Sequence, residues 1–109
     1  MKLNFETMKQ TELAGFYGGE GVFFAKFFND QQNKILKGRL APGASIGYHC
    51  HESSAEIIFI LSGEGIVNDN GVDLPLEAGD CHYCPKGESH GLRNEGKEDL
   101  IFYAVVPQQ

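Results

Sequence analysis

Glycine divides this chain into short apolar runs, and that division limits its fold more than any other feature. Gly occurs 14 times in 109 residues, and the segments between are rich in β-branched and aromatic residues. Val22-Phe23-Phe24-Ala25-Lys26-Phe27-Phe28 ends at the polar stretch Asn29-Asp30-Gln31-Gln32-Asn33. Lys34 to Leu40 stops at Pro42-Gly43, Ile46 to His51 follows, and Glu56 to Leu61 stops at Ser62-Gly63. Short runs at this spacing, with turn signals between them, predict an all-β sandwich or barrel.

Asn68-Asp69-Asn70-Gly71 is a hairpin signal, since Asn-Gly accommodates the positive φ angles of a type I′ turn. Val72 to Leu76 is therefore expected to pair back on Gly65 to Asn68, and Cys81–Cys84, Gly91–Asn94 and Leu100–Val106 complete the set of strands. The only helical candidate is Glu6 to Leu13, whose apolar spacing is weak. There is no internal repeat and no linker, so residues 1–109 are expected to form a single domain.

Three of the four histidines fall into a pattern with one glutamate. His49 and His51 are two residues apart, so on a strand both imidazoles point to one face and Cys50 points to the other. Glu52-Ser53-Ser54-Ala55 is short enough to be a tight turn. The strand that follows is expected to return antiparallel beside the first and bring Glu56 to the imidazoles. Imidazole and carboxylate are good ligands for divalent transition metals.

The spacing of these residues resembles that of the cupin superfamily, in particular its small single-domain microbial members. Gly43, His49, His51, Glu56 and Gly63 stand at the positions of the first cupin motif, and Gly79, Pro85, Gly87, His90 and Asn94 at those of the second. A chance match at ten chosen positions is on the order of one in 10^12. The motifs run from Gly43 to Gly63 and from Gly79 to Asn94. The resemblance implies a six- to eight-stranded jelly-roll β-barrel, also called a double-stranded β-helix, with a metal inside its mouth. It carries over His49, His51, Glu56 and His90 as ligands, Gly43, Gly63, Gly79 and Gly87 as turn formers, Pro85 as a stiff strand exit and Asn94 as a structural residue. An octahedral ion so held would keep two positions open for water, O₂ or a bidentate substrate. The ligand set does not choose among Mn, Fe, Co, Ni, Cu and Zn.

Other residues are read more plainly. His82 lies outside both motifs and is expected to be a strand residue with a local hydrogen bond rather than a fifth ligand. Cys81 and Cys84 spell C-x-x-C, but residues three apart on a strand face opposite sides and cannot share a metal. Ile58, Ile60 and Leu92 share parity with the ligands and should point inward, making the pocket largely apolar, whereas Ile57, Phe59 and Leu61 face a second sheet or subunit. Phe23, Phe24, Phe27 and Phe28 are expected in the core and a dimer surface. Tyr48, Tyr83 and Tyr103 are candidate hydrogen-bond donors that no spacing rule selects, and Glu52 and His82 are equally uncompelling as a general base. Gly18-Gly19-Glu20-Gly21 lacks the Lys and helix of a phosphate loop and is read as a flexible entry to a strand.

Charge and length narrow the partners. The net charge of −6 and the scattered Lys and Arg residues argue against nucleic acid and anionic membrane surfaces. No apolar run approaches the ~20 residues of a membrane span, and the N-terminus lacks the apolar stretch of a signal peptide. A cytoplasmic location is therefore expected, and the odd set Cys50, Cys81 and Cys84 fits reduced thiols. So short a chain buries a modest fraction of its surface, which favours a homodimer. Two functions compete. One is a metal-dependent dioxygenase, decarboxylase, isomerase or lyase acting on a small oxoacid, diol or sugar derivative; the other is a non-catalytic module that binds or senses such a molecule.

Overall fold

A computed structural model describes residues 1–109, and nearly all its regular structure is antiparallel β-sheet. The strands are β1 (Thr11–Ala14), β2 (Val22–Asn29), β3 (Asn33–Leu40), β4 (Ser45–Cys50) and β5 (Glu56–Ser62), followed by β6 (Glu64–Asp69), β7 (Val72–Glu77), β8 (Cys81–Cys84), β9 (Ser89–Arg93) and β10 (Leu100–Pro107). Six of them form one sheet in the order β1-β2-β3-β10-β5-β8, and four form a facing sheet in the order β4-β9-β6-β7. This is the all-β jelly-roll barrel that the resemblance implies, with ten strands rather than six to eight. No helix is long and apolar enough to cross a membrane.

The apolar runs sit where period-two alternation puts them. From β2, Phe23 and Ala25 face inward, from β5 Ile58 and Ile60, and from β10 Leu100, Phe102 and Ala104, all buried. Val67 and Leu92 meet them from the facing sheet. Phe59 and Leu61 alternate outward and are exposed, as their parity predicts. The hairpin between β6 and β7 turns at Asn70 (φ 50°) and Gly71 (φ 94°), the two positive φ angles of a type I′ turn. Its register, Gly65 with Leu76 and Asn68 with Asp73, is the pairing expected.

Asn94 anchors one end of the barrel. Its buried side chain donates to the carbonyls of Leu40 and Glu98, both at 2.8 Å, and its Oδ1 accepts from the Gly96 N–H at 2.9 Å. This ties β9 to β3 and to the loop before β10, which is the structural role assigned from the motif.

Three expectations are corrected. The segment Glu6–Leu13 is not a helix. A single 3-10 turn covers Phe5–Thr7, and Thr11–Ala14 pairs antiparallel with β2. Its apolar positions fail helical spacing but satisfy strand alternation, since Thr11 and Leu13 are half-buried and Glu12 and Ala14 exposed. The glycine-rich entry is packed rather than flexible. A 3-10 turn at Phe16–Gly18 precedes it, Ser45 N–H donates to Glu20 O at 2.8 Å, and a Cβ at either Gly19 or Gly47 would collide with the opposing backbone. Finally, β5 does not lie beside β4. It crosses to the other sheet, where it pairs with β8 and β10, while the partner of β4 is β9.

Candidate metal centre

That crossing places the site between the sheets. His49 stands near the end of β4 opposite His90 of β9, His51 leaves β4 one residue beyond its end, and Glu56 begins β5 in the facing sheet. A turn built by the second motif fixes His51. Gly87, at φ 89°, donates its N–H to the His51 carbonyl at 2.6 Å, and the His51 N–H donates to Glu88 O at 2.9 Å. The Pro-x-Gly turn therefore aligns a candidate ligand contributed by the other motif.

Four donor atoms converge. The Nε2 atoms of His49 and His51 are 3.1 Å apart and those of His51 and His90 3.0 Å. Glu56 Oε1 lies 3.0 Å from His51 Nε2 and 2.9 Å from His90 Nε2. One ligand atom from each of the four residues lies within 4.8 Å of every other, so the cluster can hold a metal ion. Two ligands at right angles, each about 2.1 Å from an ion, would be about 3.0 Å apart, whereas a tetrahedral pair would be about 3.4 Å apart. The four short edges, 2.9–3.1 Å, are closer to the right-angle spacing than to the tetrahedral one.

His49 is also set in the form a metal requires. His49 Nδ1 lies 2.7 Å from the Gly47 carbonyl, which can only accept, so Nδ1 carries the proton and Nε2 presents a bare lone pair to the cluster. His51 Nδ1 meets Ser54 Oγ at 2.9 Å, which fixes the orientation of its ring with Nε2 toward the cluster. Burial lowers the His49 pKa from its ordinary value, outweighing the opposing Gly47 hydrogen bond, and so favours the neutral ring. Burial alone would raise the Glu56 carboxyl; the hydrogen bonds from His51 and His90, with their charge, hold it at about 2. The site thus offers neutral imidazole at His49 and ionised carboxylate at Glu56, and the donor set fits a divalent transition ion.

A cavity of about 510 Å³ opens beside the cluster. The lining differs from the one expected. Ile58, Ile60 and Leu92 do point inward but are sealed in the core; the apolar wall comes instead from Leu13, Phe16, Tyr17, Phe27, Ile46 and Val106. Tyr17 is the residue that sequence reasoning missed. Its ring stacks on His49 at 3.9 Å and 10°, and its backbone is left-handed at φ 52°, uncommon for a non-glycine residue. Only the flanking Gly15 and Gly18, which turn the chain around it, could have signalled this.

The remaining candidates lie elsewhere. Tyr48, Tyr83 and Tyr103 are exposed on outer faces and none lines the cavity. Cys50 and Cys81 are exposed while Cys84 is buried, as alternation predicts, and burial raises the Cys84 thiol to about 11, which makes it a poor nucleophile. His82 is buried behind His90, the two rings 5.6 Å apart and nearly parallel at 22°. The local hydrogen bond expected of it is not made: Asp69 Oδ2 stands 3.5 Å from Nε2, and neither ring nitrogen has a partner.

Comparison with known proteins places the chain in a family. Residues 37–106 match the family model described as Cupin domain. An oxalate-binding protein of Thermotoga maritima is 50% identical over 68 residues, covering 62% of this chain and 56% of that protein. The tetracenomycin polyketide synthase protein TcmJ of Streptomyces glaucescens is 32% identical over 69 residues, 62% of this chain and 46% of that protein. The chain spans about half the length of these curated relatives. The crystal structure of a predicted oxalate decarboxylase from Thermotoga maritima superposes with a TM-score of 0.94 at 33% identity, covering 100% of both chains. The Cnp3 cupin domain of Schizosaccharomyces pombe superposes at 0.80 with 15% identity, which speaks to the fold alone.

Proposed function

The chain belongs to the cupin family, and on that premise we propose that residues 1–109 act as one domain that binds a small organic acid of the oxalate class through a divalent metal ion held by His49, His51, Glu56 and His90. The carrying observation is the convergence of three Nε2 atoms and Glu56 Oε1, with His49 locked by the Gly47 carbonyl so that its lone pair faces the cluster. The ion supplies a Lewis-acidic centre with open positions that a bidentate carboxylate can occupy.

The chain's own residues do the rest. The carbonyl of Gly47 and the hydroxyl of Ser54 orient two of the rings. Phe16, Tyr17 and Ile46 keep bulk water from one side of the cavity, which strengthens the attraction between ion and carboxylate. Apart from the ligands, the only ionisable side chains that line the cavity are those of Tyr17 and Lys34. No second carboxylate or imidazole reaches in as a general base, which supports capture over turnover.

A catalytic reading draws on the whole-length likeness to the predicted oxalate decarboxylase. In that reaction the carbon–carbon bond of oxalate breaks, carbon dioxide leaves, and a proton from solvent adds to the remaining carbon to give formate. One experiment separates the two readings: calorimetric titration of metal-loaded protein with oxalate, followed by analysis of the incubated ligand. Saturable binding with oxalate recovered intact supports capture, formate release supports the enzyme, and equal binding without metal overturns both. Homodimer formation also belongs to the proposal. It is supported by the exposed outer-face residues Phe59, Leu61, Tyr83 and Tyr103 and is checked by light scattering, where a monomer mass at micromolar concentration would refute it.

A further inference from the structure

The cavity is larger and less polar than a two-carbon diacid requires. Its volume of about 510 Å³ lies in the range of sites that enclose whole organic molecules, roughly 300–1,000 Å³. Oxalate bound at the metal would leave most of this space, and most of its apolar wall, without contact.

The inner face of the six-stranded sheet shows what lies across that space. Asn29 of β2 pairs with Lys34 of β3, and Lys34 pairs with Val106 of β10. The pairing of Val105 with Ile57 puts Val106 alongside Glu56. One row therefore reads Asn29, Lys34, Val106, Glu56, with Lys34 two strands, about 10 Å, from the metal ligand. The Lys34 ammonium sits over the Phe27 ring, 5.6 Å from its centroid, and lines the same cavity as His49 and Glu56. It makes no ion pair, as is also true of Lys2, Lys9, Lys26, Lys86 and Lys97; what sets it apart is its place on the wall of the cavity that holds His49 and Glu56. An unpaired cation, an apolar floor at Val106 and a metal cluster thus follow one another along a single line.

We infer that the ligand is a 2-oxo or 2-hydroxy acid with three parts: a chelating head at the metal, an apolar body over Val106 and Phe27, and a second carboxylate at Lys34. The inference rests on the metal-capture reading above and adds the ligand's length and far-end charge. Each methylene buried on Val106 and Phe27 strengthens binding, and the far carboxylate gains a charge-assisted contact that oxalate cannot reach.

The test uses the metal-loaded full chain, its metal content measured independently, titrated calorimetrically with oxalate, phenylpyruvate and 2-oxoadipate. The expectation is that 2-oxoadipate binds at least about tenfold more tightly than oxalate. Lys34→Met, which keeps the stem over Phe27, should weaken 2-oxoadipate about tenfold and leave phenylpyruvate unchanged, while Lys34→Arg restores it. If oxalate binds as tightly as 2-oxoadipate, or Lys34→Met weakens all three acids alike, the inference is wrong and metal capture stands. If metal-loaded protein binds none of the three, both fall together.

Discussion

The two ends of the barrel are built on the same strands yet follow opposite rules. At one end Leu40, Leu100 and Phe102 stack against Val67 and Leu92 with almost no exposure, and the one polar side chain among them, Asn94, has its donors and its acceptor engaged. At the other end the same inward positions carry His49, His90 and Glu56, and the buried Nδ1 of His90 and both nitrogens of His82 lack partners. The change takes a single step on each strand: Leu92 gives way to His90 on β9, and Ile58 to Glu56 on β5. Burial at the closed end is spent on packing, and at the open end on keeping imidazole neutral and lone pairs directed.

The largest expected effect breaks the closed end alone. Phe102→Ala should cost about 3–5 kcal/mol in chemical denaturation while leaving metal stoichiometry intact at temperatures where the protein is folded. If metal is lost in proportion to stability, the two ends are not separable. His90→Ala is the converse. Metal affinity, measured by competition with a chromophoric chelator, should fall by more than about 100-fold, while the denaturation midpoint of metal-free protein moves less than for Phe102→Ala. Full metal occupancy in that variant would remove His90 from the ligand set.

Asn94→Ala comes next. It orphans two carbonyls and the Gly96 N–H at the closed end and should cost about 2 kcal/mol, with metal affinity unchanged. The smallest effect sharpens the contrast by pH. In metal-free protein, His49 has a pKa below its ordinary 6.5 and Glu56 a pKa of about 2 instead of 4.5. In both cases the unfolded chain takes up the proton first as the solution is acidified. Stability should therefore be flat above pH ~6.5, decline below it as His49 and the likewise buried His82 protonate in the unfolded chain, and decline again between pH 4.5 and 2 through Glu56. His49→Gln should reduce the first decline, leaving the share of His82, and should not touch the second; a first decline that persists at full size would remove His49 from the titrating groups.

Much of this was legible in the residues. Two motifs ten positions strong bring His49, His51, Glu56 and His90 together, and alternation turns Cys50, Phe59 and Leu61 outward, as the structure has them. The path from His51 to Glu56 was not legible, because Glu52-Ser53-Ser54-Ala55 is as compatible with a hairpin as with a crossing between sheets. What decides it is the choice of partner for β5, which pairs with β8 and β10. Such long-range pairing leaves no mark in a four-residue turn. The strand at Thr11–Ala14 was hidden for a related reason: at an edge only one face is half-buried, and its alternation is too short to stand out. Tyr17 was hidden because glycine was read as punctuation, whereas Gly19 and Gly47 are what allow two backbones to approach closely enough to seat its ring on His49.

Because Glu56 belongs to one sheet and the three imidazoles to the other or its edge, an ion bound among them would act as a rivet through two leaves that otherwise only press together. Parting the leaves at that end would require releasing the ion, so their opening would be governed by metal supply. At a free concentration a thousandfold above the dissociation constant, this linkage is worth about 4 kcal/mol. Starved of metal, the molecule would loosen from the histidine end first, while the clasp at Asn94 held the far end shut.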